Sequence, residues 1–169
     1  MGKSSLHPIY VSLGNIPTWR HNKPDAKQLL GYLPIIKSEN IIEKQSQNFK
    51  KIVCETFHKC LEILLEPLIS TKNGINYSIE GKKIQFIPKI SIIISDWPEA
   101  VTFCLTYKSS NSNNPCHFCL VTRENLVEIN LSEKNIILRS HEKMKEMFQK
   151  NLTKSVSIEN INNFFWSIP

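Results

Sequence analysis

Residues 86–100, FIPKISIIISDWPEA, constrain this chain more than any other stretch. Ile90-Ser-Ile-Ile-Ile-Ser is short, apolar and β-branched, a pattern that reads as a strand covered on both faces. It delivers one carboxylate, Asp96, at its carboxyl end. Trp97-Pro98-Glu99-Ala100 then opens a helix, because proline suits a first-turn position and Glu99 falls near the positive end of the helix dipole. An acidic residue at the lip of a buried strand is a recurrent mounting for a Mg2+ ligand in two-metal phosphoryl transfer. Aspartate is also a preferred N-cap, so Asp96 can equally serve to start that helix and nothing more. The segment alone leaves both readings open.

The chain has 169 residues, 41% of them hydrophobic and 21% charged, enough for one core and in the range of soluble globular proteins. No apolar run approaches the roughly 18–20 residues of a membrane span. The start, MGKSSLHPIY, has no signal-peptide core. Five cysteines, an odd number, suit reduced thiols. The expectation is an intracellular protein, nuclear or cytoplasmic, neither secreted nor membrane-bound. A net charge of +6 favours polyanionic partners. The excess of lysine over arginine, 18 to 3, also follows from A/T-rich coding sequence and carries no function by itself.

Along the chain, HPIYVSLGNI (residues 7–16) reads as a strand ending in a Gly14-Asn15 turn. Residues 28–36 are short and apolar, strand or helical turn. The strongest helix runs from about Glu43 to Leu65, with Phe49, Val53, Phe57, Cys60, Leu61, Leu64 and Leu68 on one face and Pro67 expected to end it. Lys51–Glu55 and Glu55–Lys59 fall at ion-pair spacing on the other face. His58 reads as an ordinary half-exposed residue of this helix. Residues 77–79 and 83–86 flank Glu80-Gly81-Lys82, a hairpin signal. A helix from Trp97 to about Tyr107 and a polar loop at 109–114 follow. Ser140 can cap a helix bearing Met144, Met147, Phe148 and Leu152. The chain closes on FFWSIP, an apolar surface in want of a cover, and opens on a core-like strand; both ends read as cut.

Two further constellations bear on chemistry. Cys116-x-x-Cys119 has the spacing of half a tetrahedral zinc site, with Cys104 and His141 as the plausible further ligands; two unmodified loop thiols are the alternative. Arg20 and Lys23, in a basic loop bounded by Pro17 and Pro24, are candidate phosphate contacts. No serine or cysteine nucleophile motif and no glycine-rich phosphate loop is present.

Taken in order, HPIYVSLGNIPTWRHNKP, LLGYLPI, FHKCLEILLEPL, IEGKKIQFIPKISIIISDWPEA, CHFC and NNFFW resemble the transposase domain of fungal transposons of the KDZ/Plavaka type. The resemblance covers nearly the whole chain. It implies an α+β, ribonuclease H-like fold: a mixed sheet, a long packing helix, a hairpin and a helical C-terminal part. It implies a partial catalytic core over 1–108 and a Cys-x-x-Cys loop with helical segment over 109–169. In the intact family, acidic residues hold Mg2+ ions that cleave and transfer transposon-end DNA, and the intact protein can be a homo-oligomer. Asp96 would correspond to the second acidic ligand. Residues 1–24 contain no Asp or Glu to supply the first, and the third would lie beyond Pro169. The expectation is therefore a fragment, inactive alone. The alternative is a non-catalytic basic module that binds nucleic acid or another partner.

Overall fold

The computed structural model describes residues 6–107, 111–130, 132 and 136–168. Its contacts divide the chain into two compact units, residues 1–39 with 59–93 and residues 40–58 with 94–169. The boundary expected at 108/109 lies outside the described residues.

In the first unit β1 (Leu6–Val11) pairs antiparallel with β2 (Gln28–Pro34), in register from Leu6 opposite Pro34 to Val11 opposite Gln28, with a bulge between Ile9 and Tyr10. Residues 28–34 are thus strand. Gly31 sits where a Cβ would come within 2.6 Å of a Leu64 methyl, so the missing side chain lets this strand lie close against the helix from which Leu64 projects. Leu33, Leu61 and Leu65 are buried. The expected hairpin forms from β3 (Ile75–Ile79) and β4 (Lys82–Phe86). Glu80 and Gly81 both have positive φ, 50° and 77°, the mirror-image turn whose twist suits a two-residue hairpin.

The α+β class holds, but the strands form two separate two-stranded antiparallel sheets where one mixed sheet was expected. Residues 87–96 adopt no strand, and Ile92 and Ile94 are 75% and 88% exposed. The covered strand anticipated there is absent from the described residues. An apolar run fixes local extension, whereas burial requires a neighbouring strand to accept its backbone hydrogen bonds.

The long helix is split. Asn40 caps a short α1 (Ile41–Gln45), its Oδ1 accepting from Glu43 N–H at 2.8 Å. Ser46 is extended, and its Oγ accepts from Phe49 N–H at 3.1 Å, which starts α2 (Gln47–Ser70). Pro67 lies inside α2 instead of ending it. So near the end a proline removes one backbone bond, and the hydroxyls of Ser70 and Thr71 donate back to the Pro67 carbonyl at 3.2 and 2.6 Å. The buried seam of α2 is Cys54, His58, Leu61 and Leu65, one step round from the apolar face expected. Lys51 pairs with Glu55 as expected, while Lys59 pairs with Glu62 rather than Glu55.

The second unit holds α1, the first part of α2, α3 (Trp97–Cys104) and α4 (His141–Gln149). Helix α3 stops at Leu105, whose φ of 56° turns the chain, three residues short of the expected end. Ser140 caps α4 through Lys143 N–H at 3.2 Å. Met144, Val156, Ile158 and Trp166 form a core with Met147 and Phe148 against it, while Leu152 stays exposed. The apolar ending expected to lack a cover is covered: Phe164, Phe165 and Trp166 are buried, and Trp166 packs on Phe148 at 5.4 Å. Asn163 makes this possible, donating to the Phe103 carbonyl at 2.8 Å and accepting from Phe165 N–H at 2.9 Å.

Candidate functional site

Asp96 precedes α3 with extended backbone, and its Oδ1 accepts from Glu99 N–H at 2.9 Å. The side chain is therefore the N-cap of α3, satisfying one of the orphan donors of its first turn. Among the described residues, no three His, Cys, Asp or Glu side chains converge in a way that could hold a metal ion. The donors described do not fit a two-metal site, which needs several carboxylates around its ions.

The cysteine loop is more organised than the sequence indicates. Phe118 N–H donates to Cys116 Sγ at 3.3 Å. The loop is pinned to the strand-like segment after it by Leu120 N–H to the Ile137 carbonyl and Arg139 N–H to the Phe118 carbonyl, both 2.8 Å. Beneath the loop the Arg139 guanidinium donates to the carbonyls of Cys116 (2.9 Å), Cys119 (3.2 Å), Asn114 (2.9 Å) and Val156 (2.6 Å). A planar fork with five N–H donors can serve such divergent carbonyls, which an ammonium cannot. Asn114 adds a bond from Nδ2 to the Leu120 carbonyl at 2.9 Å.

This setting separates the thiols. Burial opposes ionisation of Cys116, but N–H groups of Phe118 and Cys119, the Cys119 thiol and the Arg139 charge outweigh it and lower its pKa. Burial raises Cys119 and Cys104. Cys104, at the end of α3, lies within electrostatic reach of both Arg139 and Cys116; His141 is the exposed first residue of α4. His117, between the cysteines, has its pKa lowered by burial and then by Arg139, and its buried Nδ1 has no hydrogen-bond partner among the described residues.

In the first unit Arg20 is ion-paired with Asp25 and stacks over Trp19 at 5.8 Å. It is thus partly neutralised as a phosphate contact, while Lys23 stays exposed in the same loop. Sequence reasoning missed Arg139, although one of three arginines in a chain with 18 lysines is a signal that a lysine does not suffice there.

A family model described as Plavaka transposase matches residues 1–168. No curated protein and no solved structure matches the chain. The matched range includes the β1–β2 pair, the long helix, the hairpin, the Asp96-capped helix and the cysteine loop. The chain belongs to the Plavaka transposase family.

Proposed function

We propose that this chain is a DNA-engaging part of a transposase in which Asp96 supplies one carboxylate of a strand-cutting site, the remaining acidic ligands not being contributed by the described residues. The family match across residues 1–168 is the observation that carries the reading. A net charge of +6 and the exposed Lys23 loop agree with a polyanionic partner. The chain by itself does not cut DNA, because a lone carboxylate cannot organise two reluctant Mg2+ ions. The test is nicking of supercoiled duplex DNA with Mg2+ or Mn2+. No nicking is expected; nicking that Asp96→Asn abolishes would overturn the claim that further ligands are required.

A second reading, a non-catalytic binding module, is favoured by the Asp96 cap, which gives that side chain a purely structural task. Both readings require DNA affinity that falls steeply with salt. Cys116 and Cys119 are the two ligands this chain would offer to zinc, the remaining ligands coming from outside the described residues, among which no group of three donors forms. Elemental analysis of protein purified without chelator tests this, and less than about a tenth of an equivalent would dispose of a structural zinc.

A further inference from the structure

A concavity of the second unit, about 1310 Å³, is lined by neither Asp96 nor the cysteine pair. It is open, and larger than the roughly 300–1,000 Å³ typical of small-ligand clefts, so it suits a segment of a chain-like ligand. Lys44, Lys50 and Lys154 line it and are exposed, against the single carboxylate of Glu159 among the described lining residues. Half-buried rings of Phe49 and Tyr107 stand in its wall. Thr106 and Ser112, 2% and 9% exposed, also line it, and neither hydroxyl has a hydrogen-bond partner among the described residues. Both oxygens are closed off from solvent, so the character of the groove is set by its lysines and its rings.

We propose that this groove binds an unpaired DNA strand, its phosphates on Lys44, Lys50 and Lys154 and its bases against Phe49 and Tyr107. A cationic track beside aromatic rings is how single strands are held without sequence readout, since every base offers a flat face and a duplex hides those faces. An acidic peptide would use the lysines but leave the rings without stacking partners. The inference rests on the DNA-engaging reading above and assigns a surface to it.

The test uses the full chain and fluorescence anisotropy with a labelled oligo-dT of about 12 nucleotides, within the usual single-strand site sizes, and a duplex of equal length. The triple variant Lys44→Glu, Lys50→Glu, Lys154→Glu is expected to weaken strand binding about 10-fold or more and to flatten its log–log salt slope by about two. Duplex binding should change less than about 3-fold. The three positions are exposed, and an unchanged thermal midpoint confirms folding. Photocrosslinking of a 5-iodouracil oligonucleotide to the wild-type chain should map to the peptides holding Phe49 or Tyr107. A variant that keeps wild-type strand affinity, or a crosslink confined to residues 6–39, would overturn the proposal. So would equal losses for strand and duplex, or an oligoglutamate that binds as tightly as the strand. Duplex binding with no strand binding defeats this inference and leaves the DNA reading standing; binding of neither defeats both.

Discussion

His58 Nε2 lies 3.1 Å from the carbonyl oxygen of Thr102, 44 residues further along the chain. On its other side Nδ1 accepts from Phe164 N–H at 3.4 Å. With Nδ1 accepting, the ring is neutral with its proton on Nε2, donating to Thr102. The residue is 3% exposed, not half-exposed as the sequence suggested, and its ring meets Phe57 and Phe165 edge-on. One imidazole thus ties α2, α3 and the C-terminal aromatic turn together within the second unit.

Burial lowers the His58 pKa below its ordinary value of 6.5, only partly offset by the Thr102 bond. The unfolded chain therefore takes up a proton at a pH where the folded chain does not. Stability is full above about pH 6.5 and falls as pH drops from there towards the folded-state pKa. Urea midpoints measured between about pH 7.5 and 5 should show this fall, and His58→Gln should flatten it while lowering stability at every pH.

Arg139→Ala is expected to destabilise the second unit by about 1–3 kcal/mol, because it removes the donor shared by four partly buried carbonyls. Arg139→Lys should recover only a minor part of the loss, since a point charge replaces a planar fork. Equilibrium urea unfolding followed by far-UV circular dichroism gives both numbers.

Asp96→Ala should cost about 1 kcal/mol through the lost cap of α3, and Asp96→Asn less than about 0.5, because asparagine caps as well as aspartate. The pair separates the two tasks considered for this side chain. If a complete assembly cuts DNA, Asp96→Asn should abolish cutting with little change in stability.

Among the thiols, Cys116 should alkylate first and Cys104 markedly later, since one pKa is lowered and the other raised by burial. Timed iodoacetamide labelling with peptide mass mapping checks the order. Arg139→Ala should slow Cys116 by removing a stabilising charge.

Where local physics is sufficient, the sequence was readable. Asp96 and Ser140 stand at the helix starts expected of them and bind the N–H three residues on, an interaction complete within one turn. Asn40 and Ser46 make the same bond at starts that the single helix expected from about Glu43 did not include. The Glu80-Gly81 turn and the family resemblance were readable for the same reason. What escaped depends on partners distant in sequence. The seam of α2 centres on His58, a residue with no apolar label, because its two bonds are supplied by residues 44 and 106 positions away. Arg139 went unread because its role exists only once the carbonyls of residues 114, 116, 119 and 156 are gathered around it. Residues 90–95 have the composition of a central strand, and composition cannot say whether a neighbour exists to pair with them.

That last stretch has a consequence outside the folded chain. ISIIIS carries no charge, no proline and high β-propensity, and it is laid open to solvent with Ile92 and Ile94 uncovered. Six such residues meet the description of a steric-zipper segment, able to stack with copies of itself from other molecules. Lys89 and Asp96 bracket it as gatekeepers of opposite sign. A charge-neutralising change at Asp96 is therefore expected to speed fibrillar self-association, read by thioflavin fluorescence, even where the helix survives it.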